Sequence, residues 1–224
     1  LKMHGGVNKE DLKIENVNAL KKGLINLERH INNIKKFGLE PIVGINSFVS
    51  DTKNEIKTVK VFCHKLKVEV SECTHWSNGA LGIKELAQKV AKICKKSNKK
   101  KFKFLYKDEQ SLWSKIETIT KEIYNAKNVS STEEIKKQLL LYEQNGYRKL
   151  PICIAKTQYS FSIDPKLKGA PSDHEIEIRE VRLLSGAEFI VVICGSIMTM
   201  PGLPKTPAAD SIKLNSKGKI EGLF

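Results

Sequence analysis

Phe189-Ile190-Val191-Val192-Ile193-Cys194, then Gly195, and shortly after it Met198-Thr199-Met200-Pro201-Gly202-Leu203-Pro204-Lys205-Thr206-Pro207, is the stretch from which the rest of the chain is read. Six apolar, largely β-branched residues in a row predict a buried strand. The segment behind it carries three prolines within seven residues. Each lacks an N–H donor and fixes φ, so this segment is neither helix nor central strand. Gly202 lets the backbone turn or approach another surface. A stiff loop at the end of a buried strand suits either a structural role or the holding of a ligand.

Working outward, Leu150 to Ala155 reads as a second buried strand, followed by the polar loop Lys156 to Pro165. Glu175 to Leu183 alternates Glu175, Glu177 and Arg179 against Ile176 and Ile178, a strand with one wet face. Before these lie two helices, Leu112 to Ala126 and Ser131 to Asn145, the second capped by Ser131 or Thr132 and closed at Asn145-Gly146. Phe102 to Tyr106 is strand-like, and Ile212 to Phe224 reads as a hairpin or extended tail around Asn215 to Gly218.

The front of the chain alternates. Asn16 to Lys36 is a helix with Val17, Leu20, Leu24, Leu27 and Ile31 on one face and Gly38 as its stop. Pro41 to Asn46 is a short strand. A helix begins at Asp51, with Glu55 one residue beyond the capping-box position, and runs to about Lys65. Leu66 to Val70 is a further strand, and Gly82 or Ile83 to Lys95 a further helix. This order predicts an α/β layer with largely parallel strands. Ligands in such sheets sit at the carboxyl ends of strands. Ser47 to Ser50 and Ser71 to Gly79 occupy such places, and each carries an aromatic residue, Phe48 and Trp76. Two loop aromatics there pack locally or sandwich a flat ring system. Trp113 falls on a helix and belongs to the core.

Composition narrows the class. At 224 residues, 40% hydrophobic and 29% charged, the chain has the make-up of a soluble globular protein of one or two domains. No apolar run approaches the roughly 20 residues that cross a bilayer. The five cysteines fall at 63, 73, 94, 153 and 194 with no CxxC pair, so neither a zinc ribbon nor a redox dithiol is indicated. Cys153 and Cys194 lie in apolar runs and are expected to be buried thiols. The net charge of +14 raises the question of nucleic acid. Yet the run from Lys95 to Lys103 has no RNP1-like strand, zinc-finger spacing or KH-like context, and a solvated lysine-rich face is the plainer reading. Phosphate loop, G-x-G-x-x-G, G-x-S-x-G and H-E-x-x-H motifs are absent from these 224 residues.

Cys153-Ile154-Ala155-Lys156-Thr157-Gln158-Tyr159-Ser160-Phe161-Ser162 and Met198 to Pro207, in this order, together with Cys73-Thr74-His75-Trp76, resemble formate–tetrahydrofolate ligase, as the stand-alone enzyme or as the synthetase part of a trifunctional C1-tetrahydrofolate synthase. The resemblance runs from Leu1 to Phe224. It implies ATP-dependent joining of formate to tetrahydrofolate through formyl phosphate. It assigns Phe48 and Trp76 to the walls that stack on the folate ring. It places Met200, Pro201, Gly202, Leu203 and Pro204 along the same cleft or its nucleotide end. Asn46, Lys156 and Thr157 are further candidates, the last two for contacting anionic groups; neither a catalytic residue nor a metal ligand is assigned.

Family members are longer, and their phosphate loop and formate site precede the part matched here. The chain is therefore expected to be a C-terminal portion, truncated at the front and complete at the back, unable to make formyl phosphate by itself. Residues 1–100 would be the end of a P-loop-type nucleotide- and folate-binding α/β region, and 101–224 a smaller C-terminal α/β domain carrying the Met-Pro-Gly-Leu-Pro loop. The implied ligands are tetrahydrofolate as substrate, formate, and ATP with Mg2+ held mainly by the preceding part, with room for a monovalent cation. A homo-oligomer, a tetramer in the family, and a cytoplasmic location with an organelle as alternative are expected; no membrane partner is. A non-catalytic relative acting as a basic folate- or RNA-binding module is the competing reading. The chain departs from the family pattern at Val49, at Ala80 and Leu81, at Ser172-Asp173-His174 in place of Thr-Gly-Phe, at Glu188 in place of glycine, and at Ser196.

Overall fold

The computed structural model describes residues 1–96, 102–197 and 205–222. The chain is mixed α/β. A first sheet pairs β1 (Ile42–Asn46) with β2 (Glu69–Cys73) in parallel, from Ile42 opposite Glu69 to Asn46 opposite Cys73. A second sheet has the order β3-β5-β6-β4, formed by β3 (Asn128–Ser130), β4 (Ile152–Ala155), β5 (Glu175–Leu184) and β6 (Phe189–Cys194). β3 runs parallel to β5 and β4 parallel to β6, while β5 and β6 are antiparallel. A small hairpin, β7 (Lys213–Leu214) and β8 (Ile220–Glu221), follows.

β6 occupies the span expected of its apolar run, and Ile190, Val192, Ile193 and Cys194 are buried. β5 shows the expected wet face, but a register shift between Ile178 and Glu180 changes its phase. The bulge keeps Val181 inside with Ile176 and Ile178. β4 is an edge strand, so Cys153 is exposed, contrary to the expectation from its apolar neighbours; Cys194 is buried as expected. α5 (Leu112–Glu122) and α6 (Glu133–Gln144) cover this sheet, and Leu112, Ile116, Ile135 and Leu139 complete its core. Lys115, fully buried on α5, donates to the carbonyls of Arg148 and Leu150 at 2.6 and 3.1 Å and so fixes the approach to β4.

The first sheet has a thinner core of Leu20, Leu24, Val59, Cys63 and Val70. α1 (Val17–Lys36) starts at Asn16, whose side chain accepts the Ala19 N–H at 2.8 Å. Gly23 lies where the N-terminal segment crosses this helix: a Cβ there would come within 2.1 Å of the Leu1 carbonyl oxygen. α2 (Lys53–Lys65) is capped one residue later than the sequence suggested. Thr52 is its cap, which puts Glu55 at the third position and completes the capping box. The expected strand at Leu66 to Val70 lies three residues further on. Lys67 takes φ 55° and Val68 N–H bonds the Cys63 carbonyl, so 66–68 turn out of α2 before the ladder starts at Glu69.

Beyond β2, Trp76 sits on a single helical turn, α3 (His75–Asn78), rather than in an open loop. A 3-10 turn (Gly79–Ile83) leads into α4 (Lys84–Lys96). Phe102 to Tyr106 is not a strand: Phe102 stacks on Phe37 at 6.4 Å and meets Phe104 edge-on. Glu188 is solvent-exposed, so no buried charge arises there. What a glycine would supply is backbone freedom, since Glu188 holds φ 56° and Asp173 φ 59°. Among the described residues no helix is long and apolar enough to cross a membrane.

Candidate functional site

Adjacent parallel strands deliver Phe48 and Trp76 to one place. β1 ends at Asn46 and β2 at Cys73, directly opposite each other, and Ser47 N–H continues the ladder to the Cys73 carbonyl at 3.0 Å. Phe48 is then set by a tight turn. Its N–H donates to the Asp51 carboxylate at 2.9 Å, and Asp51 N–H donates to the Phe48 carbonyl at 3.0 Å. On the other strand Thr74 organises α3: its carbonyl accepts from Ser77 Oγ, and its hydroxyl accepts from Asn78 Nδ2 at 3.0 Å. Thr74 N–H is taken by the Gly82 carbonyl. Position 82 has to be glycine, because a Cβ would lie 2.5 Å from the Thr74 backbone.

The two rings stand 6.5 Å apart, centroid to centroid, with their planes at 61°. Both are poorly covered, Phe48 at 48% exposure and Trp76 at 72%. Large aromatic side chains left this open, side by side, forgo the burial that normally places them inside. Stacking contacts lie near 3.5 Å, so a flat ring held between parallel faces needs about 7 Å between them. The centroid spacing is close to that value, but the planes stand at 61°, so a sandwich would need the indole, 72% exposed, to turn parallel to Phe48. Val49 beside them is 93% exposed, a loop tip with no packing duty.

Asn46 and Phe48 also line a cleft of about 480 Å3 whose walls include Leu20, Val43, Ile45 and Val59. Its polar end is a nearly dry ion pair, Lys2 Nζ to Glu55 Oε1 at 3.0 Å, with side-chain exposures of 8% and 6%. The same Glu55 carboxylate accepts the Asn16 N–H at 2.9 Å and the Thr52 N–H at 3.3 Å, and Lys2 also donates to the Ile14 carbonyl. One side chain thus ties the N-terminal segment and the starts of α1 and α2 together. Burial raises the Glu55 pKa, but the bonds from Asn16, Lys2 and Thr52 outweigh it and hold the carboxyl below its ordinary range. This hub was not found in the sequence; only the Thr52–Glu55 spacing could have pointed to it.

Lys156 and Thr157 follow β4 in the second sheet and do not line that cleft. The Lys156 ammonium is turned inward, donating to the carbonyls of Thr157, Ser160 and Ser162, and it lies 4.8 Å from the Tyr124 ring centroid. Burial brings its pKa down to about 8. Met200, Pro201, Gly202, Leu203 and Pro204 lie outside the described residues, as do 97–101 of the basic run. Among the described residues no group of three or more His, Cys, Asp or Glu side chains is placed to hold a metal ion. Phe48 and Trp76 offer dispersion and shape but no proton-transfer group, so what the pair can do chemically is hold and orient a planar molecule.

Comparison with known proteins places this geometry in context. The family model described as formate–tetrahydrofolate ligase matches residues 1–224. The formate–tetrahydrofolate ligase of Pelagibacter ubique (strain HTCC1062) is 62% identical over 224 residues, which are all of this chain and 40% of that protein. That of Rhizobium etli (strain CFN 42) is 54% identical with the same coverage. That of Methylorubrum extorquens (strain PA1) is 51% identical over 225 residues, again 40% of its length. The chain spans about 40% of the length of these curated relatives.

Proposed function

The chain belongs to the formate–tetrahydrofolate ligase family, and from that premise we propose that it supplies the wall on which the folate ring is stacked during ATP-dependent formylation of tetrahydrofolate. The observation that carries this reading is the pair of exposed rings, 6.5 Å apart, at the carboxyl ends of adjacent parallel strands. The bicyclic ring of the folate would lie between Phe48 and Trp76, with Asn46 at the cleft edge. In the overall reaction ATP supplies the phosphoryl group that activates formate as formyl phosphate, and N10 of the folate takes the formyl group. The role of these residues is to orient the acceptor and exclude water from the two faces of its bicyclic ring.

The same reading assigns residues 1–100 to the folate-binding region and 101–224 to a C-terminal unit, with the two separate apolar cores as support. Absence of a phosphate-loop motif in these 224 residues leads us to expect no formyl phosphate synthesis by this chain alone. Isothermal titration with tetrahydrofolate, and ADP release with Mg-ATP and formate, test the two halves of the reading separately. Saturable binding weakened about tenfold in Trp76→Ala, with ADP release at background, is expected. Binding unaffected by both Phe48→Ala and Trp76→Ala would remove the stacking assignment. ADP release above background would remove the second.

A further inference from the structure

The two walls of the aromatic pair are built differently. Trp76 rides on α3, where the amides of Ser77 and Asn78 both bond the Thr74 carbonyl. Phe48 belongs to neither helix nor strand and lies in the connection 47–52 between β1 and α2. Little packing holds it there. Phe48 is half exposed, and Val49 and Ser50 after it are exposed. A connection with so little burial takes its shape from its hydrogen bonds.

Those bonds are few. The Ser47 N–H carries the ladder one residue past β1, so the chain leaves the sheet at Phe48. There Asp51 holds both backbone groups of Phe48. Its N–H donates to the Phe48 carbonyl at 3.0 Å, and its Oδ2 accepts the Phe48 N–H at 2.9 Å. Val49 and Ser50 are left as the central residues of the turn. The first bond is backbone to backbone, and any residue except proline at 51 could make it. The second needs a short acceptor side chain at that position. Among the described residues nothing else accepts the Phe48 N–H.

Asp51 itself stands on a firm base. The next residue, Thr52, caps α2, and its hydroxyl and the Glu55 carboxylate close the capping box. Glu55 is in turn anchored by Lys2 at 3.0 Å in the buried ion pair. Asp51 is therefore fixed at the first turn of α2, where the free amides of the helix favour a negative charge. Its carboxylate is not used elsewhere: among the described residues no ion pair includes Asp51, and its one side-chain hydrogen bond is the one to Phe48. A half-buried carboxylate whose single bond sets the backbone of an exposed aromatic is placed to serve that aromatic.

We propose that Asp51 is a positioning residue for the acceptor: its carboxylate fixes the point at which the Phe48 ring leaves the backbone, so Phe48 is the set wall and closure onto a flat ring falls to Trp76. This rests on the assignment of the pair to folate. The planes stand at 61°, so one ring has to turn before both can stack on a ligand. With the Phe48 backbone already held, less of the site has to be ordered on binding, and that ordering would otherwise count against affinity. Asparagine at 51 keeps an acceptor oxygen in the same place without the charge; alanine removes the acceptor and leaves the backbone bond of the turn.

The test is isothermal titration with tetrahydrofolate of the parent chain and of Phe48→Ala, Asp51→Ala and Asp51→Asn, together with thermal midpoints and amide hydrogen exchange at Phe48 in the absence of ligand. Phe48→Ala should weaken binding tenfold or more, and Asp51→Ala about fivefold with a midpoint close to that of the parent chain. Asp51→Asn should bind within about twofold of the parent. The Phe48 amide should exchange faster in Asp51→Ala than in either the parent or Asp51→Asn. An aspartate with a purely structural role would lower the midpoint and leave affinity alone. Equal weakening in Asp51→Ala and Asp51→Asn would mean that the charge acts on the ligand directly, and would overturn the positioning role. If Phe48→Ala binds weakly while Asp51→Ala binds like the parent, the folate wall stands and the role of Asp51 falls. If Phe48→Ala also binds like the parent, the wall assignment fails and the role of Asp51 fails with it.

Discussion

The two sheets solve different problems. The second, β3-β5-β6-β4, is covered by α5 and α6 with, among the described residues, eleven buried in one apolar cluster, and its central strand β6 is almost wholly covered. Among the described residues the first, β1-β2, has two strands and a cluster of five, and it displays two large aromatics in the open. A pair of strands with so small a core gains little from apolar burial. Its order rests on a polar hub, Glu55 with Lys2, Asn16 and Thr52. The difference teaches that the sheet carrying the two exposed aromatics is held in place by directional bonds, and the other sheet by packing.

That contrast can be broken from either side. The largest effect is expected in the second core: Ile190→Ala, at a position with no exposure, should cost about 4 kcal/mol in denaturant unfolding and leave the ring pair intact in whatever remains folded. A loss below about 1 kcal/mol would mean that this core is not the stabilising one. Next comes Glu55→Gln, which strands a buried Lys2 ammonium and should cost about 3 kcal/mol, with exchange protection lost first in α1, α2 and β1. The Glu55 carboxyl sits below its unfolded pKa, so its stabilisation is complete above about pH 4.5 and disappears as pH falls through the lowered folded value. Acid unfolding of the parent chain should therefore begin in the first sheet, and Glu55→Gln should flatten that limb.

Smaller effects sharpen the comparison. Trp76→Ala should leave the unfolding midpoint almost unchanged, because the ring is exposed, but weaken tetrahydrofolate binding by about tenfold. A clear drop in stability with unchanged binding would invert the account. Glu188→Gly should stabilise by about 1 kcal/mol, since it relieves a left-handed backbone at an exposed site and removes no contact of the core. Thermal midpoints of the two proteins decide it.

The sequence was readable where one signal acted alone. β6 follows directly from six apolar residues, and α1 from its periodicity and Asn16 cap. It misled where signals overlapped. Leu66 and Val68 alternate as a strand would, yet the chain spends them turning out of α2, and the true strand carries Glu69, Ser71 and Glu72. β3 has three residues, too few for any periodicity, and exists because β5 offers it a ladder. Phe102 to Tyr106 looked like a strand because aromatic residues favour both strands and local stacking. Phe48 and Trp76 were visible as loop aromatics at strand ends, while their nearness depended on β1 and β2 pairing in parallel. The Glu55 hub was not visible, because it joins segments far apart in the chain.

The most direct test uses the Trp113→Phe chain, in which Trp76 is the only tryptophan, titrated with tetrahydrofolate and followed by indole fluorescence. Saturable quenching that disappears in Phe48→Ala is the predicted result, because both rings are needed to hold a flat ligand. A folded chain whose fluorescence is indifferent to tetrahydrofolate, or quenches equally without Phe48, would contradict the assignment of this pair as the folate wall.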